Sequence, residues 1–319
     1  MISLVTIVFS GDLDLVRYQA RSLALLVRPE IINDINLVIN DVNEGDIRRT
    51  LEEMRPEYGP HAAKVRIVGG DEVLLNVPRK TRRSLFEWLY VDNRHRLPFA
   101  SAQGWRGGNG YRMQQALKLA SARIADCDRM LILDGKNIFL RDFDPEEFFD
   151  EQNRGLSTFH PPNAEFHQGW LNESLKVMDL NMTANDIEAT TAYETPYPVN
   201  RQLVLRVLDE VAESHGSVQA LFASKQRPTE FMLLFASCIR NEGNVDRYFG
   251  EFAGQHLGVW KEYSPQLINK VISNAETTPS ATFGVHRKAI ELLNDEQRQR
   301  LIALFAVRGL DLKPLLNSA

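Results

Sequence analysis

RMLILDGKNIFLRDFD, running from Arg129 to Asp144, is the stretch that decides how this chain is read. The apolar run Met130-Leu131-Ile132-Leu133 stops abruptly at Asp134-Gly135-Lys136-Asn137. Four apolar residues bounded by turn formers predict a buried strand. Such a strand carries a carboxylate, a glycine and an ammonium to its carboxyl end. Open α/β sheets bind ligands at strand ends of that kind, beside a reversal in strand order. Gly135 and Asn137 also suit a plain turn that needs positive φ.

Working outward, apolar runs alternate with helical periods. Strands are predicted over Leu4–Phe9, Asn36–Ile39 and Lys64–Val68, with helices near Asp14–Val27, Gly45–Met54 and Gly110–Ile124. Strand and helix in alternation read as βαβ units around a parallel sheet. The first two strands and the Met130–Leu133 strand run into Asp12, Asp41 and Asp134, which lines one rim with acidic groups. The second half is more helical. Apolar stripes mark helices over Arg201–Glu213, Thr229–Arg240 and Glu291–Val307, with Thr229 placed to cap. The expected fold is α/β, with a mostly parallel central sheet flanked by helices and helical additions in the second half. A single domain over residues 1–319 is the economical division, with halves of about 1–145 and 146–319.

Composition narrows the function classes. The 319 residues are 44% hydrophobic and 25% charged, as in ordinary globular proteins. A net charge of −5 speaks against nucleic acid as the main partner. Cys127 and Cys238 match neither a disulfide framework nor a metal spacing, and read as reduced buried thiols. The apolar start Met1–Phe9 has no basic flank, no cleavage site and too little length to span a bilayer. A cytoplasmic location, extending to the inner face of a membrane, is the expectation. Arg79-Lys80-Thr81-Arg82-Arg83 and Arg94-His95-Arg96, with Leu85, Phe86, Trp88, Leu89 and Tyr90 interleaved, read either as a solvated, salt-bridged helix or as a basic amphipathic surface for donor phosphates, an anionic acceptor or peripheral membrane association.

In the helix before the key strand, Gln114 and Lys118 lie four residues apart and share a face. An amide and an ammonium one turn apart suit a polyhydroxylated or phosphorylated ligand. The glycine-rich entry Gly104-Trp105-Arg106-Gly107-Gly108-Asn109-Gly110 strengthens that reading.

The order Trp105, Tyr111, Gln114-Gln115, Lys118-Leu119, followed by an apolar strand, an acidic turn and Phe139-Leu140-Arg141, resembles the glycosyltransferase-A superfamily. It is similar, more narrowly, to an uncharacterised group of bacterial glycosyltransferase-like proteins. Thr195-Pro196-Tyr197-Pro198, Pro228-Thr229-Glu230-Phe231 and Phe283-Gly284-Val285-His286-Arg287 extend the resemblance over roughly residues 3–290. It implies a GT-A-like fold and transfer of a sugar from a nucleoside-diphosphate donor to a saccharide or lipid-linked acceptor in surface-polysaccharide or glycoconjugate synthesis. In such proteins an Asp-x-Asp turn commonly holds Mn²⁺ or Mg²⁺, often with a later His, and the metal meets the leaving diphosphate. Asp134 matches the first Asp and His286 the distal His, but Lys136 stands where the second carboxylate belongs. An ammonium repels a metal. Either Asp134 and His286 hold the metal with Lys136 turned away, or none is used and Lys136 supplies the charge with Arg141 or Lys118; the metal-free version is favoured.

The same resemblance assigns Ser10, Asp12 and Asp41, with Gln114, Gln115 and Lys118, to the donor. Glu230 is a candidate general base toward an acceptor hydroxyl, or else a helix cap. Trp170 and Tyr197 are candidates for stacking on an acceptor sugar. Two other classes stay open. One is a sugar- or nucleotide-binding protein that lost transfer; the other is a nucleotidyltransferase, against which the absence of a glycine-rich phosphate signature near the first strand counts.

Overall fold

The computed structural model describes residues 1–317 apart from 42, 75–109, 253 and 255. The basic segment 79–96 and the glycine-rich run 104–109 therefore lie outside the described residues. In chain order the strands are β1 (Ile2–Val8), β2 (Ile32–Ile39), β3 (Val65–Gly69), β4 (Arg129–Asp134), β5 (Asn137–Phe139), β6 (Gly155–Ser157), β7 (Phe159–His160), β8 (Thr190–Thr191), β9 (Tyr197–Asn200), β10 (Phe249–Glu251), β11 (Leu257–Val259) and β12 (Thr282–Val285). The longer helices are α1 (Leu13–Leu26), α2 (Glu44–Met54), α3 (Gly110–Ala120), α4 (Glu165–Val177), α5 (Arg201–His215), α6 (Glu230–Glu242), α7 (Pro265–Thr277) and α8 (Asp295–Ala306).

The central sheet has the order β3-β2-β1-β4-β9. Its first four strands are mutually parallel and β9 is antiparallel to β4. Parallel strands covered on both faces read as continuous apolar runs, which is why β1 and β4 were visible as such. Their side chains divide by alternation. Val5, Ile7, Met130 and Ile132 face a core shared with α3, α5 and α6, whereas Leu4, Val8, Leu131 and Leu133 face α1 and α2. A third core joins β5, β11 and β12 to α7 and α8. Truncating one fully buried residue such as Leu133 to Ala costs about 2–5 kcal/mol.

Register places the functional rim. Ile7 pairs with Asp134, and Ile39 pairs with both Val8 and Gly69, so the parallel strands end side by side. Chain order reverses at β1, with β2 on one side and β4 on the other. The crevice beyond β1 and β4 is thus a topological switch point, where open sheets take ligands.

Some boundaries differ from expectation. The segment expected as one helix over Glu291–Val307 is interrupted, because the Asn294 side chain accepts from the Gln297 amide and Gln297 reciprocates. That capping box starts α8 afresh at Asp295. Thr229 occupies the N-cap position of α6 without a side-chain cap bond, its Oγ1 having no partner among the described residues. Both cysteines are free, but only Cys238 is buried; Cys127 is half-exposed. Among the described residues no helix is long and apolar enough to cross a membrane.

Candidate functional site

The turn Asp134-Gly135-Lys136-Asn137 joins β4 to β5 at the switch-point crevice. Gly135 and Asn137 both lie outside the positive-φ region, so the turn needs them for other reasons. A Cβ at Gly135 would sit 3.0 Å from Val16 Cγ2 and 3.4 Å from Asp12 Cβ, so a side chain there would have to push Val16 of α1 aside. Asn137 is buried and closes the turn, its Oδ1 accepting from the Asp134 amide (2.8 Å) while its Nδ2 donates to the Thr195 carbonyl (3.2 Å). Gln19, from α1, donates to the carbonyls of Asp134 and Asn137 (3.0 Å each) and accepts from Thr6 Oγ1 (3.0 Å). The turn is thereby fixed by α1 and by the segment that leads into β9.

Asp134 is the hub. Its Oδ1 accepts from Gln114 Nε2 (2.9 Å) and lies 3.0 Å from Lys118 Nζ; its Oδ2 accepts from Lys136 Nζ (2.6 Å) and Thr195 Oγ1 (2.9 Å). Lys118 in turn meets Glu230 Oε1 at 3.1 Å, and both are buried. Burial opposes the charge on Asp134, but Lys118 and then Lys136 overcome it and hold the carboxyl well below its usual range. Burial likewise pulls Lys118 down, and Asp134 with Glu230 more than reverses it. The Gln114–Lys118 face expected from helical spacing thus exists, and what it grips first is the carboxylate of the key strand.

Other groups surround Lys136. Its ammonium lies 3.9 Å from the Trp260 ring centroid, a cation–π contact. The strand β12 pairs with β5, and the Val285 amide donates to the Lys136 carbonyl (2.9 Å), which delivers His286 and Arg287 to the same rim. Arg287 is exposed, and its Nη1 would lie 3.3 Å from a Cβ on Gly11. Asp12 is pushed up to about 6 by burial and by Asp134, against the pull of Arg287 and Lys136. Burial and then Lys136 lower His286, whose buried Nδ1 has no hydrogen-bond partner among the described residues. At the neighbouring strand ends the Ser10 amide and hydroxyl both donate to Asp41 Oδ2 (3.0 and 2.7 Å).

The donor set does not suit a divalent cation on Asp134. Both carboxylate oxygens are engaged, one by each ammonium among others. At an effective dielectric near 20, each ammonium about 4 Å away opposes an added unit charge by about 4 kcal/mol. The version with Lys136 turned away is not what the structure holds. Among the described residues no cluster of three His, Cys, Asp or Glu side chains is placed for a metal.

Several expected site residues lie elsewhere. Arg141 forms a bidentate pair with Glu147 and donates to the Pro279 carbonyl, so it does not join Lys136. Tyr197 is a core residue, stacked on Phe231 at 3.8 Å, because the outer strand β9 turns it toward α6. Gln115 is buried, and its Oε1 has no hydrogen-bond partner among the described residues. Glu230 is buried and ion-paired with Lys118. Trp170 is half-buried in an aromatic cluster with Phe166 and Tyr193. Gln19, Thr195, Trp260 and Arg287 were not anticipated. Thr195 and His286-Arg287 stood in motifs already noted, so proximity to those motifs was the available signal.

Residues 63–263, over half of the chain, match a family of unknown function (DUF6492), and the chain belongs to it. No curated protein matches. Among solved structures, an active-site mutant of LgtC is similar with a TM-score of 0.47 and 11% identity, over 96% of this chain and 95% of that one. The galactosyltransferase LgtC in complex with donor and acceptor sugar analogs gives 0.43 and 12%, over 93% and 99% of the two chains. Mouse xyloside xylosyltransferase 1 gives 0.42 and 9%, over 89% and 97%.

Proposed function

We propose that this chain transfers a glycosyl group from a nucleoside-diphosphate sugar to a saccharide acceptor, with lysine charge standing where a metal would. The observation that carries the reading is the Lys136 ammonium at the β1/β4 crevice, held between Asp134 and Trp260. A departing diphosphate gains negative charge in the transition state, and a preorganised cation stabilises it without reorganising. Lys136 meets that charge, with the exposed Arg287 beside it. Asp134 acts as a positioning residue, since it holds Lys136 and Lys118 and has no free oxygen for a metal. Ser10 and Asp41 at adjoining strand ends, with Asp12, serve the nucleoside. Glu230 positions Lys118. The resemblance of the motifs supports an acceptor that belongs to surface-polysaccharide or glycoconjugate synthesis.

In this reading residues 1–145 bind the donor and residues 146–319 complete the site, within one domain whose sheet takes β9 from the second half. A second reading, sugar or nucleotide binding without turnover, is favoured by the same saturation of Asp134, which leaves no carboxylate free at that turn.

A thermal-shift titration with UDP, GDP, ADP, CDP and dTDP, in Mn²⁺ and again in EDTA, tests the proposal. A ligand at 100 times its Kd stabilises by about 2.7 kcal/mol. Stabilisation by one diphosphate that persists in EDTA is expected. Loss of the shift in EDTA would overturn the role of Lys136, and absence of any shift would overturn nucleotide-sugar transfer. Binding without diphosphate release from the matching sugar donor selects the second reading.

A further inference from the structure

Glu194 lies on the segment between β8 and β9, half-buried. The next residue, Thr195, donates to Asp134 Oδ2, so this segment is tied to the lysine-bearing turn. Burial raises the Glu194 carboxyl and Lys136 counteracts it, which places the carboxylate within that ammonium's field. No hydrogen bond or ion pair of Glu194 is formed with the described residues. A half-buried carboxylate of this kind is costly to leave without a donor.

The residue before it begins an aromatic ridge. The Tyr193 ring lies 6.3 Å from both Phe166 and Trp170, and Phe166 lies 4.9 Å from Trp170. Phe166 is 52% exposed and Tyr193 37%, so the ridge faces solvent. The Tyr263 hydroxyl is pushed up to about 12, by burial first and then by Glu194 and Tyr193. Exposed rings next in the chain to a half-buried carboxyl suit a ligand with an apolar face and a hydroxyl rim. A pyranose has both, since its axial C–H bonds pack on a ring while its hydroxyls donate at the edge.

We infer that the Phe166–Trp170–Tyr193 ridge and Glu194 form a pyranose subsite, in which Glu194 accepts a hydrogen bond from a sugar hydroxyl beside Lys136. Its identity as the acceptor site rests on the transfer reading; its affinity for a pyranose does not. Of the two stacking candidates from sequence, Trp170 belongs to this ridge, whereas Tyr193 stands in it where Tyr197 was expected.

The test is saturation-transfer NMR with maltose, lactose and cellobiose on the wild type and on Phe166→Ala, Tyr193→Ala and Glu194→Gln. At least one disaccharide is expected to receive saturation on its ring C–H protons. The aromatic variants should weaken that binding by up to about tenfold, and Glu194→Gln should weaken it too. Phe166→Ala, being the most exposed change, keeps the test valid should Tyr193→Ala fold poorly. Nucleoside-diphosphate thermal shifts should be retained in all three. Wild-type protein that takes up no disaccharide, or variants that bind as wild type does, would overturn the subsite. Saccharide binding that follows the variants in a protein that binds no diphosphate would sink the transfer reading and leave the subsite standing.

Discussion

Replacing Lys118 with Met removes one ammonium and keeps nearly the same volume. In the folded protein that ammonium bridges Asp134 at 3.0 Å and Glu230 at 3.1 Å, and its side chain is only 7% exposed. Removing one partner of a buried pair costs about 3–5 kcal/mol, because the surviving charges stay out of water. Asp134 retains Lys136, Gln114 and Thr195, whereas Glu230 loses the ion pair that the structure shows for it. A chain of this length unfolds with an entropy of about 0.7 kcal/mol/K. The melting temperature of Lys118→Met should therefore fall by about 4–7 °C in differential scanning calorimetry. Adding Glu230→Gln should restore part of the loss, giving a coupling of at least about 1 kcal/mol. A single variant that melts within about 1 °C of wild type, or a double variant whose losses simply add, would refute the assignment of Lys118 as the buried bridge.

Asn137→Ala leaves the Asp134 amide and the Thr195 carbonyl without their shared partner, so urea denaturation should show a loss of about 2–4 kcal/mol. A loss below 0.5 kcal/mol, roughly the surface-substitution range, would mean the turn does not depend on that side chain. Asp12 carries a folded pKa of about 6 against an ordinary 3.8, so its favourable contribution is present below 3.8 and lost as pH rises through about 6. Asp12→Asn should accordingly gain stability over wild type as pH goes from 4 to 7, reaching about 1 kcal/mol after discounting for solvent screening; a pH-independent difference would contradict this. Asp134 has the opposite sign. Its depressed pKa stabilises the fold above 3.8 and is lost only as pH falls below that, so Asp134→Asn should be worst at neutral pH and converge on wild type in strong acid.

The central sheet was readable because β1 and β4 are mostly apolar, as doubly covered parallel strands are, and β2 closes on the apolar Leu37-Val38-Ile39, each ending near turn formers. The strands β5 to β8 have two or three residues each, too few for any period to show. Helical spacing correctly joined Gln114 to Lys118, but spacing names a face and not what the face meets. That Asp134 is the partner depends on β4 lying beside α3, a tertiary fact. Tyr197 and Arg141 were misplaced for the same reason, since aromatic and charged residues near a motif look alike whether they face the site or leave it. Glu194 gave no signal at all, because a lone Glu between a Tyr and a Thr is ordinary in sequence. The match to the family over 63–263 falls within the span on which the resemblance was built.

The central claim is that Lys136 supplies the charge that meets a donor diphosphate. Calorimetric titration of the best-bound nucleoside diphosphate in EDTA, on wild type and on Lys136→Met, tests it most directly. The account predicts tight binding by the wild type in EDTA and a loss of about 10–100-fold in the variant, the worth of one charged hydrogen bond. Wild-type binding that vanishes in EDTA and returns with Mn²⁺, or a variant that binds as tightly as wild type, would contradict it.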